Sequence, residues 1–417
     1  MSQALPPVAG LHTGRCRFED RRGGRARVLD GLVERITASH PGELASALAR
    51  IEAAQAAGHW VALLLAYELG EWLEPGVLAA GAGHDPVHRD APGQAQRAND
   101  CGSGAPRPGA APSDAAGAGA PRLTALVYRH QRDEAPWAAP DLYPAPQVAA
   151  VRARVSPDTY RANVRRIAEW IAAGEVYQIN YTMPLDVSID GPPAELYAQL
   201  ANRHPSAHAA YIEDAGRTVL SFSPELFLAR SGDRLTTRPM KGTAPRHADP
   251  EQDAASGRTL LASEKNRAEN LMIVDLLRND LGRIAQPGSV RVSRLFELEQ
   301  YASIWTLTST IEATAPGASL ADVLRALFPC GSVTGAPKIA AMRRIRELEP
   351  QPRGLYCGSV GWLAPNGDFS LNVAIRTLVL DQDARSGTYH AGGGIVADSD
   401  PDLEWEECEW KSRVLTR

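Results

Sequence analysis

Cysteine is sparse. Cys16, Cys101, Cys330, Cys357 and Cys408 are the five in 417 residues, and an odd number cannot all pair. No Cys-x-x-Cys pair occurs and no Cys/His cluster has zinc spacing, so neither a disulfide framework nor a structural zinc is expected. A reducing compartment, the cytoplasm, is the simplest setting. Long apolar runs are also missing. The longest, at 61–67, falls far short of the ~20 residues a membrane helix needs. Residues 1–10 have no basic segment followed by an apolar stretch, so no signal peptide is expected. Neither charge is in large excess: 44 Lys and Arg against 49 Asp and Glu leave a net charge of −5. That balance points to neither a nucleic acid nor a membrane surface as partner. A soluble protein is expected, and no short-period repeat is present.

What is there suffices for a large core: 44% of residues are apolar. A chain this long predicts two or three domains, or one large fold with a duplicated core. From about 80 to 122 it is Ala, Gly, Pro and Ser with hardly any large apolar residue. Such a stretch cannot bury enough surface to offset its ordering entropy, and disorder is expected there. The predicted organisation is an N-terminal lobe over 1–150 carrying that insertion, and a second unit over 151–417. A helix is predicted over 43–57 and a buried strand over 59–67. Ser156 and Pro157 start another helix, ended by Gly174. A strand over 176–185 follows, with Gln178, Asn180 and Thr182 on one face. The ordinary reading of such a polar face is exposure to solvent. Strands at 209–212, 218–221, 226–229 and 234–238 precede a long helix at 264–281 capped by Ser263. Helices at 319–328, 337–348 and 401–414 and strands near 356–363, 371–380 and 388–391 complete the reading. Mixed elements without a βαβ period give an α+β fold with a large antiparallel sheet.

Four segments could carry chemistry. Gly331-Ser332-Val333-Thr334-Gly335-Ala336-Pro337-Lys338 leads into a helix, whose first N–H groups suit a carboxylate or phosphate. It lacks the ending of a P-loop. Gly392-Gly393-Gly394 after a strand permits close backbone approach, or is simply a tight turn. Glu404 and Glu407 share a helix face with Lys411 one turn on. They could hold a divalent cation, or form a solvated face paired with Lys411, and Glu269 on its own helix is open to the same two readings. Lys241, between Pro239-Met240 and Gly242, is a surface charge or a positioned amine.

The order of these segments resembles the chorismate-utilising enzymes: anthranilate synthase component I, aminodeoxychorismate synthase component I, isochorismate synthase and salicylate synthase. The matching runs are Gly-Glu-Val-Tyr-Gln-Ile-Asn at 174–180, Ser-Pro-Glu-Leu-Phe at 223–227 and Arg-Pro-Met-Lys-Gly-Thr at 238–243. Further runs lie at 267–280, 331–338, 374–377 and 391–399. The resemblance implies an anthranilate synthase component I-like fold, with 151–417 as the chorismate-binding catalytic domain. It implies that Arg376 forks onto a chorismate carboxylate, and that Tyr356 lines the ring site. Backbone N–H groups around Gly393 and Gly394, with Thr334, would hold other polar groups, and Gln178 and Lys411 would join the substrate contacts. Glu269, Glu404 and Glu407 would hold Mg²⁺, which fixes the ring carboxylate. Glu225 would be the acid that protonates the departing 4-hydroxyl.

Two positions select a branch within the resemblance. Water-adding members carry a Lys base where this chain has Gln178, and Gln cannot deprotonate water. The anthranilate branch has a small residue where this chain has Lys241. Aminodeoxychorismate synthesis, feeding 4-aminobenzoate and folate, is therefore the expected activity, with ammonia from glutamine through a partner amidotransferase, because no glutaminase nucleophile elbow is found. Lys241 could act covalently if its amine were neutral, with Arg238 and Mg²⁺ as sources of the needed pKa depression. The alternatives are anthranilate synthase component I, separable by its fluorescent product, and a non-catalytic chorismate-binding regulatory subunit, which would tolerate loss of Glu225, Lys241 or the acidic cluster. One departure from the family pattern is Thr306, where relatives have His. The chain also lacks a Leu-Leu-Glu-Ser stretch of the kind that binds tryptophan, so feedback by tryptophan is not expected.

Overall fold

The structure is a computed structural model that describes residues 14–78, 120–139, 145–302 and 304–416. The Ala/Gly/Pro-rich stretch, apart from its last three residues, lies outside the described residues, as do residues 1–10.

Eighteen strands and nine α-helices are formed among the described residues, and every strand pairing is antiparallel. The fold is α+β. Its sheet can be followed strand by strand. Gln147–Ala153 pairs Gln178–Asp190, then Ser386–Ile395, Thr377–Leu380, Arg217–Ser223 and His208–Asp214. Cys16–Asp20 continues the run to Arg25–Ala38, Leu123–Glu134, Trp60–Leu65 and Ser359–Leu363. Phe369–Asn372, Leu226–Ser231, Arg234–Arg238 and Ile304–Thr314 follow. Ile304–Thr314 also pairs with Met240–Pro245 and Arg291–Gln300. The N-terminal strands thus share hydrogen bonds with the rest, and Gln147–Ala153 runs through the expected boundary at 150.

Two segments leave one stretch of this run and enter another. Residues 223–226 join Arg217–Ser223 to Leu226–Ser231, and residues 372–377 join Phe369–Asn372 to Thr377–Leu380. The predicted strand over 371–380 is therefore two strands with a crossing between them. The crossings lie side by side: Val373 N–H donates to the Glu225 carbonyl at 3.0 Å, Ser223 Oγ to the Val373 carbonyl at 2.6 Å, and Phe222 N–H to the Arg376 carbonyl at 3.0 Å. Strand crossings break the ladder, and that leaves room for side chains of unusual role.

Helices close over this region for reasons written in their caps. Ser156 accepts from Thr159 N–H, Ser263 from Asn266 N–H, and Asp400 from Asp402 and Leu403 N–H, each satisfying first-turn donors. Pro157–Ala172 packs on Pro401–Ser412 through Tyr160, whose ring lies 5.4 Å from that of Trp405 and whose hydroxyl meets Cys408 Sγ at 3.2 Å. Glu264–Gly282 is tied to the sheet by Asn270, which donates to the Leu307 carbonyl at 3.2 Å and accepts from Ser309 Oγ at 2.6 Å. One apolar core links these layers, from Ile36 and Leu63 to Phe222, Leu277, Leu324 and Trp405. No helix among the described residues is long and apolar enough to cross a membrane.

The N-terminal half of the polar face of Gln178–Asp190 is not solvent-facing. Gln178, Asn180 and Thr182 are all buried. For Asn180 and Thr182 a buried ion pair supplies the partners. Glu349 accepts from Thr182 N–H and Oγ1 at 3.0 Å each, while Arg353 binds Glu349 and donates to the Asn180 carbonyl at 2.7 Å and the Val333 carbonyl at 3.0 Å. Alternation reports that one face is polar. It cannot report which distant charges arrive to satisfy it.

Candidate active site

A cavity of about 380 Å³ opens where the two crossings, the strand Ser386–Ile395 and two helices meet. Ten of the twelve residues singled out in the sequence line it: Glu225, Lys241, Glu269, Tyr356, Arg376, Gly393, Gly394, Glu404, Glu407 and Lys411.

Gln178 lies behind the lining. A Cβ placed on Gly394 would stand 2.6 Å from Gln178 Nε2 and 2.9 Å from Lys241 Nζ. Gly394 is thus the gap that lets an amide and an amine approach one point. Neither the Gln178 nitrogen nor its oxygen has a hydrogen-bond partner among the described residues. Gly393 plays the same part opposite: a Cβ there would meet Glu404 Oε2 at 2.9 Å. The glycines are mid-strand, paired with Tyr181 and Asn180, and do not form a turn.

Thr334 is not brought to the cavity. It is fully buried, with Oγ1 turned onto the Cys330 and Gly331 carbonyls at 3.3 and 3.1 Å. The helix start behind it is not an anion site either. Gly335 and Ala336 pair with Ile179 and Gln178, and Lys338 is buried against Asp280 at 2.6 Å. What this loop contributes is Ser332, which donates to Glu225 Oε1 at 2.7 Å. Ser332 stood inside a quoted motif, but nothing in its spacing set it above Thr334.

Lys241 is the second residue of the strand Met240–Pro245. The register against Ile304–Thr314 slips between Lys241 and Thr243, so Gly242 is a bulge, with a left-handed φ of 86°. Thr306 Oγ1 donates to the Gly242 carbonyl at 3.0 Å and pins that bulge.

The electrostatics divide the cavity. Burial pushes the Glu225 carboxyl up to about 7, against the opposing pulls of the Ser332 hydroxyl and the Lys241 charge. Burial also depresses the Lys241 amine. The like charge of Lys411 adds to this, while Glu269, Glu225 and Glu407 oppose it. Arg238, expected as a source of that depression, is instead engaged by Glu299. Burial lowers the Arg376 guanidinium, for which no hydrogen-bond or ion-pair partner is found among the described residues. Its backbone sits at φ 50°, a left-handed position that a non-glycine residue holds only when its surroundings impose it. Tyr356 stacks on His390, ring centroids 5.0 Å apart.

The acidic wall mixes signs. Burial raises Glu269 and Glu404; for Glu404 the Ser399 hydroxyl opposes the shift and the Glu407 charge reinforces it. Burial also pushes Glu407 up, but Lys411 at 2.7 Å outweighs it and holds that carboxyl low. Lys411 Nζ donates as well to the Gly392 carbonyl at 2.7 Å. The three carboxylates are hard oxygen donors, and Glu404 Oε2 is buried without a hydrogen-bond partner among the described residues, so the donor set suits a divalent cation. They are not already gathered: no group of three or more His, Cys, Asp or Glu among the described residues is close enough to hold a metal as it stands.

A cavity of about 380 Å³ lined by perturbed acids and amines, with a guanidinium that has no partner among the described residues, fits an enzyme acting on a small anion. The chain belongs to the chorismate binding enzyme family, whose profile matches residues 14–417. It is 45% identical over 270 residues to an aminodeoxychorismate synthase component 1 from Klebsiella aerogenes, a match covering 64% of this chain and 59% of that protein. It is 42% identical over 267 residues to an anthranilate synthase component 1 from Streptomyces coelicolor, covering 63% and 52%. The matches thus span rather more than half the length of these relatives. Among solved structures, anthranilate synthase component I from Streptococcus pneumoniae superposes with a TM-score of 0.74 at 22% identity, over 100% of this chain and 94% of that one. The menaquinone-specific isochorismate synthase from Escherichia coli gives 0.70 at 18% identity, over 97% and 89%. These last two likenesses establish the fold.

Proposed function

We propose that the chain aminates chorismate at C4 to give 4-amino-4-deoxychorismate, the precursor of 4-aminobenzoate and folate. The observation that carries this reading is the convergence of Lys241, Gln178 and a Glu225 titrating near neutrality on one cavity. Gln178 cannot act as a base on water, which disfavours hydration of the ring. Lys241 offers an amine whose protonated form is disfavoured by burial and by Lys411.

Arg376 is half-buried and has no side-chain partner among the described residues, and its fork fits a carboxylate of the substrate. Glu225 gives its proton to the C4 hydroxyl, which leaves as water. The neutral Lys241 amine bonds to C2, both ring double bonds move one place toward C4, and the C4–O bond breaks. Ammonia then bonds to C4, both double bonds move back, and the C2–N bond breaks, releasing the lysine as its neutral amine. Splitting one poor displacement into two steps is the gain of covalent catalysis. Glu269, Glu404 and Glu407 would hold Mg²⁺, which supplies positive charge for the ring carboxylate.

Relatives on both branches are named component 1, which fits a second component as the ammonia source. That partner is proposed to be a glutamine amidotransferase. The test incubates the pure chain with chorismate, Mg²⁺ and ammonium, then adds a lyase and assays 4-aminobenzoate. Glutamine should replace ammonium only with a separate amidotransferase subunit present. Fluorescent anthranilate as the product would sink the reading in favour of the anthranilate branch, and robust glutamine-dependent turnover by the chain alone would remove the partner.

A further inference from the structure

Glu225 sits on the crossing between two strands, 4% exposed, and its Oε1 accepts from Ser332. On its far side the Ser332 oxygen meets Cys330 Sγ at 3.2 Å. Both partners are buried, at 3% and 2% exposure. A hydroxyl has one proton. If it points to Cys330, Ser332 can only accept from Glu225, and the acid's proton faces away from the substrate. If Cys330 S–H donates to Ser332, the hydroxyl proton goes to Oε1, and the carboxylic proton is left on Oε2. Burial pushes the Cys330 thiol up to about 12, so it carries its proton at neutral pH and can fill the donor role. The other groups around the carboxyl are Lys241 and the Met240 N–H from the strand Met240–Pro245, with the Cys357 thiol beyond. None of these competes for Ser332.

We propose that Ser332, backed by Cys330, is a positioning residue that occupies Glu225 Oε1 and keeps the acid's proton on Oε2, ready for the leaving hydroxyl. The inference rests on the reading of Glu225 as the acid in the proposed amination. In that step the Oε2 proton joins the departing hydroxide as water, Glu225 becomes a carboxylate stabilised by the Ser332 donor, and it is reprotonated before the next turnover.

The experiment has two readouts. The first is the pH–rate profile of ammonia-dependent turnover of chorismate with Mg²⁺ in Ser332→Ala, Ser332→Thr and Cys330→Ala. The second needs no turnover: the Glu225 carboxylic C=O stretch, followed against pH by infrared difference between each protein and its Glu225→Gln form. Ser332→Ala removes a donor to the carboxylate, so the protonated form gains. The alkaline limb and the infrared titration should both move up by roughly one unit, and kcat should fall roughly tenfold with KM little changed. Ser332→Thr keeps the hydroxyl and should restore both, and Cys330→Ala should shift both in the same direction by less. If Ser332→Ala does not fold, Ser332→Cys, a weaker donor, reads the same shift. An infrared titration unmoved in the alanine or cysteine variant overturns the proposal. A moved titration with Glu225→Gln at the parent rate leaves the hydrogen-bond chain standing and removes Glu225 as the acid.

Discussion

The cavity has two walls built on the same side chain. On one, Glu225 is alone among carboxylates, buried, with one hydroxyl donor, and titrates near 7. On the other, Glu404 and Glu407 share a helix face with Glu269 nearby. Ser399 donates to Glu404 at 2.7 Å, and Lys411 holds Glu407 low. Environment sets the difference, not residue type. The first wall offers a group that changes protonation at working pH, as a general acid must. The second sets one carboxyl held low by Lys411, Glu407, beside two that burial raises, Glu269 and Glu404, and offers their oxygens to a cation. The proposed amination, in which the C4 hydroxyl leaves as water, calls on both.

The sharpest way to break this contrast is at Lys241, between the walls. Lys241→Arg keeps the charge but cannot serve as the nucleophile. Amination should fall by on the order of a thousandfold or more. Near-normal amination by Lys241→Arg, with no adduct on Lys241 detectable by mass spectrometry during parent turnover, would refute covalent catalysis. Glu225→Gln keeps shape and removes the proton, and should cost about a hundredfold or more in kcat. The pH dependence has a definite sign. Glu225 works protonated, so the parent rate should decline as pH rises through about 7, and Glu225→Gln should lose that limb. A limb that persists in Glu225→Gln would assign it to another group.

The acidic wall is tested by Glu407→Gln. It removes one fixed charge and frees Lys411 from its partner at 2.7 Å. A loss on the order of a hundredfold is expected, partly restored by raised Mg²⁺. An unchanged Mg²⁺ dependence would mean that the carboxylates form a helix face paired with lysine and nothing more.

The contrast between the walls was only half legible in the sequence. Helix caps at Ser156, Ser263 and Asp400 act through the next few residues, so local reading finds helices. The strands 16–20, 25–38, 123–134, 291–300 and 304–314 went unread, because their apolar periods are irregular, with register slips in Arg25–Ala38 and Arg291–Gln300 that break the alternation. The cavity residues were found by resemblance, since each alone looked ordinary: Glu404, Glu407 and Lys411 read equally as a solvated helix face. Thr334 was chosen over Ser332 because motif position does not say which hydroxyl turns inward. The satisfaction of buried Asn180 and Thr182 depends on Arg353 and Glu349, roughly 170 residues away, a contact that alternation along a single strand cannot encode.

The smallest expected effect concerns how Lys241 is aimed. A bulge at Gly242, pinned by Thr306, turns the strand so that the amine meets the cavity. Thr306→Val is nearly isosteric and removes only the donor to the Gly242 carbonyl. One neutral hydrogen bond is worth about 0.5–1.5 kcal/mol, so a roughly three- to tenfold fall in kcat is expected, with KM preserved. Thr306→Ser should recover it. The cavity faces Thr306 as well, so a substrate contact would give a different pattern, in which KM rises and kcat holds. The kcat pattern would mean that the Thr306 hydroxyl, which donates inward to Gly242, serves backbone geometry. If Thr306→Val keeps both constants at parent values, the ladder to Leu307 and Thr308 holds the bulge without it.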